Sequence, residues 1–226
     1  MAEFLNNIIP NIMDKLDVFG EAIWQTVVMA AWSGIFMVMF GIVIGVIVTV
    51  TKPGGILPQP VLFQILDKII NFFRSIPFII LLAGLMPLSR IIMGTAIGLE
   101  GAIVPLIIAA TPFYARQVES ALSEVDPGLV EAALSMGCSP AGIIFRVYLK
   151  ESIAAIARGT TIAIISLFGL IAMAGAVGAG GLGDFAIRYG HDRNQGDVVY
   201  VTIIVLVIII SVIQQIGNIV AKKNTH

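Results

Sequence analysis

The sequence predicts an all-α polytopic membrane protein, with five transmembrane helices in one domain over residues 1–226. Three observations lead there. Hydrophobic residues make up 58% of the chain and charged residues 12%, well under the roughly 25% charged residues of a soluble domain. The apolar residues gather in runs near the ~20 residues needed to cross a ~30 Å hydrocarbon core. Most of the charges collect between these runs. Net charge is −1, so no bulk electrostatic term favours nucleic acid. The single cysteine, Cys138, excludes an internal disulfide, and the histidines, His191 and His226, are far apart, so no metal cluster is expected. No internal repeat or low-complexity tract divides the chain.

Near the start, over residues 4–19, the pairs Phe4/Leu5, Ile8/Ile9 and Ile12/Met13 recur four apart, as on one face of a helix. An interfacial helix and an amphipathic terminus without a role both fit this pattern. No basic leader precedes the apolar run, so a secretory signal is not expected. The first span, residues 24–50, has 27 residues without a charge and stops at "TKPGG". At ~1.5 Å per residue it exceeds the bilayer core and must tilt or protrude. The second span, 69–88, carries Arg74 and Pro77 in "FRSIPF" near its start. The third, 91–114, is interrupted by Glu100, Pro105 and Pro112. The fourth is 159–177. The fifth, 198–220, is rich in Val and Ile, which membrane helices tolerate because every backbone group must pair internally there.

Lys and Arg set the orientation. With the N-terminus outside, the inner segments hold Lys52, Lys68, Arg74, Arg116, Arg146, Lys150, Arg158, Lys222 and Lys223. The outer segments then hold Lys15, Arg90, Arg188 and Arg193, which is nine against four of the 13 basic residues. This predicts an N-out, C-in multi-pass protein with residues 124–150 on the cytoplasmic side.

That loop, running from "EVDPGLVEAALSMGCSP" through "AGIIFRVYLK", reads as two short helices. Asp126 is a good N-cap and Pro127 suits the first helical position. Gly137 is placed to end the helix in a left-handed cap. Ser139 and Pro140 repeat the start for "AGIIFRVYL". Leu129, Val130, Ala133 and Leu134 share one side, while Glu131 and Ser135 share another. Resting on the inner leaflet is one reading. However, Glu124, Asp126 and Glu131 would be repelled by anionic lipid, and surface helices favour Lys and Arg on the polar face. Small Ala132, Ala133 and Gly137 suit insertion into a protein partner instead.

"EAALSMG" with "VYLK" further on resembles the EAA loop of bacterial ABC-importer permeases. Glu131, Ala132, Ala133, Gly137 and Leu149 match that pattern in register, and Val147 stands for its Ile. Lys150 replaces the usual Pro. "FRSIPFIILL", "GTAIGLEGAIVPL" and "GAVGAGGLG" extend the resemblance to the permeases of methionine importers, from about residue 20 onward. The resemblance implies a type I ABC-importer permease in a bacterial cytoplasmic membrane, translocating D- and L-methionine. It implies two copies forming the pore, two cytoplasmic ATPase subunits that bind ATP and Mg, and an extracytoplasmic substrate-binding lipoprotein, with no cofactor held by this chain. Asp126, Glu131, Ala132, Ala133, Gly137, Ser139 and Leu149 would belong to a coupling helix loop between spans 3 and 4. A permease for another amino acid or small solute is the alternative.

Other motifs carry less. Gly178, Gly180 and Gly183 satisfy G-x-G-x-x-G but come after a membrane helix, not a strand, so a dinucleotide site is not expected. With Gly181 they read as a closely packed outer turn near the pore mouth, or as a plain loop. Met173, just before them, suits a gate or ordinary packing. Arg74 and Glu100 are substrate-pathway candidates because charges near spans are costly. Arg74 also suits snorkelling to the interface, and Glu100 a solvated rim. No H-E-x-x-H, G-x-S-x-G or Walker A loop occurs, so the chain is not expected to be an enzyme. A stand-alone secondary transporter would usually show inverted repeats and buried acidic relays, and neither is evident.

Overall fold

The computed structural model describes residues 9–224, all in helices, turns and loops with no strand among them. Four helices are long and apolar enough to cross a membrane, and one broken pair passes the same test. Helix α1 (Pro10–Met13) opens on Pro10, whose missing N–H costs nothing at that position. The paired apolar residues from Phe4 to Ile8 lie outside the described residues. Ile12, from the same pattern, is buried. Helix α2 (Leu16–Thr51) has 36 residues, about 54 Å at the α-helical rise. Residues 52–59 fold back on its end. Leu57 N–H bonds Val50 O and Gln59 N–H bonds Thr51 O, each at 3.0 Å, which satisfies carbonyls that a helix end leaves open.

The single second span expected over 69–88 is divided. Helix α3 (Pro60–Ser75) stops, Ile76 is extended at φ −85° and ψ 125°, and α4 (Phe78–Met93) begins after Pro77. Proline lacks the N–H needed to continue α3 and drives the preceding residue out of the helical region. The third span is displaced as well. Residues 91–93 finish α4, which closes on Gly94 at φ 78° with its N–H on Arg90 O. Helix α5 then runs over Gly98–Ser123, past the expected end. Next come α6 (Pro127–Ser135), α7 (Pro140–Ile143), a widened turn over Ile144–Tyr148, and α8 (Leu149–Glu151). Helix α9 (Ile153–Ala174) leads through the glycine turn 175–180 into α10 (Gly181–Phe185). A second widened turn, Ala186–His191, precedes α11 (Gly196–Lys223).

The chain divides into two compact units. The first comprises Met1–Ile35, Pro77–Ile107 and Ile165–Ile213. Its core joins Ile12, Phe19, Ala22, Leu182, Phe185 and Val198. The Phe19 and Phe185 ring centroids stand 5.1 Å apart. Asn11 ties α1 to the start of α11, since its N–H and Nδ2 each donate to an Asp197 carboxylate oxygen at 3.0 Å.

The second unit comprises Phe36–Ile76, Ile108–Ile164 and Gln214–His226. Here α2 meets α5 at Gly41 and Gly45, four residues apart. A Cβ on Gly41 would stand 2.5 Å from the Tyr114 ring, and one on Gly45 2.7 Å from Val118. This is the close backbone approach that small residues give membrane helices. Arg116 on α5 forms an ion pair with Asp67 of α3, donates to Asn71 Oδ1 at 3.2 Å, and pairs with Glu119 at 2.6 Å. Ser152, at the joint between α8 and α9, is 2% exposed and donates to Ala121 O at 3.0 Å.

Candidate functional site

Two constellations gather most of the residues singled out from sequence. The first is the loop of the second unit that holds α6. Asp126 accepts a hydrogen bond from Gly128 N–H at 2.8 Å, and Pro127 occupies the first helical position. The end of α6 is equally defined. Gly137 sits at φ 75°, where a side chain would be strained. Its N–H bonds Leu134 O and Cys138 N–H bonds Ala133 O, each at 3.0 Å. These are the two crossed bonds of a Schellman cap. Ser139 then accepts from Gly142 N–H at 3.2 Å, with Pro140 beginning α7. Nine residues are thus fixed at both ends by local chemistry alone.

One side of α6 is anchored. Val130 and Ala133 pack with Ile143, and Ile56, Val125, Val147 and Tyr148 close around them. The opposite side faces outward. Glu131, Ala132, Gly137 and Ser139 are exposed. Leu129 and Leu134, on the same side as Val130 and Ala133 by helical spacing, are each 47% exposed, and Met136 is 76% exposed. At ~100° per residue Val130 and Ala133 stand in the middle of this side and Leu129 and Leu134 at its two edges, so the packed cluster covers only the middle pair. Glu131 borders a cavity of about 240 Å3 lined also by Lys52, Gly55, Ser123 and Tyr148. Burial pushes the Tyr148 phenol above its ordinary value, so it stays neutral there. Leu149 is partly buried after the widened turn, and Lys150, in the position of the usual proline, is exposed.

The second constellation lies in the first unit. Helix α9 ends at Ala174, Val177 leaves helical geometry, and Gly178, Gly180 and Gly181 take φ of 94°, 84° and 77°. Three left-handed positions within four residues turn the chain sharply into α10. A Cβ on Gly183 would meet Ala172 Cα at 2.9 Å, so the two arms of the turn touch through backbone. Beside it lies a small apolar cavity of about 40 Å3, lined by residues such as Leu82, Met86, Ala174, Val177 and Gly178. Met173 is 41% exposed on the last turn of α9 and is not among the cavity-lining residues.

The two remaining candidates belong to different units. Arg74 is exposed near the end of α3, in the second unit. Glu100 is exposed in the first turn of α5, in the first unit, where a carboxylate complements the helix dipole. Sequence reasoning missed Gln25 and Thr26 of α2. Gln25 Oε1 accepts Gly181 N–H at 2.7 Å, and Thr26 Oγ1 accepts Leu182 N–H at 2.8 Å. Their signal was the adjacency of two polar residues in an otherwise apolar span.

Known proteins share this fold. Residues 41–225 match the family described as binding-protein-dependent transport system inner membrane component. A Vibrio cholerae protein named "Probable D-methionine transport system permease protein MetI" is 44% identical over 210 residues, covering 93% of each chain. The Escherichia coli K12 protein named "D-methionine transport system permease protein MetI" is 44% identical over 155 residues, 69% of this chain and 71% of its own. A solved inward-facing structure of the MetNI methionine ABC transporter superposes with a TM-score of 0.91 at 41% identity, over 94% of this chain and 99% of the solved one. An amino acid ABC transporter crystallised with histidines has the same fold, with a TM-score of 0.77 at 15% identity. With most of its length matched in sequence and in fold, the chain belongs to the binding-protein-dependent transport system inner membrane components.

Proposed function

We propose that the chain is the membrane-spanning permease subunit of an ATP-driven importer for methionine, taking both D and L forms. The observation that carries this is the likeness to methionine-transport permeases along nearly the whole chain, in sequence and in fold together. The chain is not itself the ATPase. In this reading two copies form the pathway, two cytoplasmic ATPase subunits bind ATP and Mg, and an extracytoplasmic lipoprotein delivers the amino acid. The N-terminus lies outside and the C-terminus inside, as the nine-to-four division of Lys and Arg favours.

The geometry suggests how force enters. Helix α6, capped at both ends and anchored through Val130 and Ala133, is a stiff element with an outward face of small and apolar residues. That face suits a cleft on the ATPase, with Glu131 at its polar edge. ATP-driven closure of the ATPases moves the two α6 helices, and the spans pass from inward-open to outward-open. The motor thereby supplies the differential binding that shifts a two-state equilibrium. The glycine turn and Met173 are the gate candidates of this cycle, and Arg74 and Glu100 its substrate-pathway candidates.

Reconstitution with the ATPase and binding protein in liposomes tests the reading. ATP hydrolysis and uptake are expected to rise with L- and D-methionine above other amino acids. Stimulation by a different amino acid alone would overturn the substrate, and failure to assemble with any ATPase would overturn the permease assignment.

A further inference from the structure

Two consecutive side chains of α2 hold the glycine turn from 156 residues away. Gly181 and Leu182 open α10, and their N–H groups are among those that a helix leaves without internal partners. Gln25 and Thr26 supply the acceptors. The fit is tight, because a Cβ on Gly180 would stand 2.5 Å from Gln25 Oε1 and one on Gly181 2.8 Å from Thr26 Oγ1.

The two halves of this hold are unequal. Thr26 is 1% exposed and Leu182 is fully buried. The Thr26 hydroxyl also donates to Ala22 O at 2.9 Å, so its one proton is committed. Breaking this half would strand the Leu182 N–H in an apolar core, which is costly. Gln25 differs. It borders an open polar cavity of about 180 Å3, lined also by Glu21, Asp184, Arg188 and Tyr189. Its Nε2 donates to Glu21 at 3.0 Å. Gly181 also lines that cavity, so if Gln25 lets go its N–H faces a polar space rather than the apolar core around Leu182.

We propose that Gln25 is a positioning residue, a releasable catch on the glycine turn, and that Thr26 is its fixed half. The Gln25–Gly181 bond opens when the turn moves during transport, while the Thr26–Leu182 bond persists as the pivot. This rests on the permease reading given above. A single neutral hydrogen bond of this kind biases a two-state turn by about 2- to 10-fold.

The decisive quantity is substrate imported per ATP hydrolysed, measured for the full complex in liposomes. Gln25→Met keeps the length and removes the acceptor. It is expected to lower that ratio about 2- to 10-fold, within the bias above. The paired exchange Glu21→Gln with Gln25→Glu keeps the net charge, the acceptor for Gly181 and a carboxamide-to-carboxylate bond, and is expected to restore the ratio. An unchanged ratio in Gln25→Met overturns the catch, including the case where both rates fall in proportion, as a folding defect would cause. Failure of the exchange to rescue overturns it too. Amide exchange in the wild-type complex decides without substitution, since Gly181 is expected to exchange faster than Leu182 during ATP turnover and equal protection overturns the proposal. A wild-type complex that imports nothing refutes the permease reading instead.

Discussion

Gly137 is where one residue decides the end of an element. At φ 75°, any β-branched side chain meets the strain that costs about 1–2 kcal/mol in left-handed geometry. Gly137→Val is expected to unravel the last turn of α6 and to lower substrate-stimulated ATP hydrolysis at least several-fold, while Gly137→Asn keeps most of it. The assay is ATPase rate with and without substrate, and wild-type stimulation in the valine variant would refute the role given to α6. Asp126→Ala removes the Gly128 cap at about 1 kcal/mol and is expected to have the milder effect in the same assay. These residues were legible in the sequence because their chemistry is local. An Asp-Pro start, a Gly stop and a Ser-Pro restart announce themselves without any partner. Gln25 and Thr26 stand out in the sequence only as adjacent polar residues, and what they hold was not legible, for the opposite reason. Their partners lie 156 residues away, and no periodicity within α2 carries that information.

At the scale of elements, packing between helices depends on what is missing. Gly41 and Gly45 leave no room for a methyl group beside Tyr114 and Val118. Gly45→Val is expected to cost about 1–3 kcal/mol through overpacking, read as a lower unfolding midpoint in detergent. Gly34→Ala is the control, because the nearest side-chain atom, Leu167 Cδ2, stands 3.7 Å from the new carbon, and it is expected to leave the midpoint unchanged. Arg116 joins α3 and α5 by a planar fork. Arg116→Lys keeps the charge but cannot reach Asp67, Asn71 and Glu119 together. With Asp67 35% exposed, screening limits the expected loss to about 1 kcal/mol, measurable in the same thermal scan. Helix existence was legible from apolar runs, but helix ends were less so. The break at Pro77 was written in the sequence, yet largely apolar residues on both sides, Ile69 to Phe73 before it and Phe78 to Leu82 after it, let the segment read as one span. Hydrophobicity reports solvent preference and is blind to a missing N–H.

For the whole molecule, orientation is the expectation with the sharpest test. Cys138 is the only thiol in the chain and is exposed just beyond the α6 cap. A membrane-impermeant maleimide is expected to label it in inside-out vesicles and not in intact cells. Labelling from outside would remove α6 from the reach of a cytoplasmic motor. The all-helical class and the family were legible at this scale, because composition and the EAA pattern are properties of the entire chain. Its division into two compact units was not, since both draw on three separate segments. The widened turns carry a consequence for chain length. In one, Leu149 N–H reaches Ile144 O, and in the other Asp192 N–H reaches Ile187 O, so each ring encloses one residue more than an ordinary helical turn. Deleting a residue there would let the ring tighten and leave the flanking segments in register. Deletion within an uninterrupted helix would instead rotate every later side chain by ~100° about the axis. Sequences of unequal length can therefore share these ends, with the slack stored in two loops of backbone.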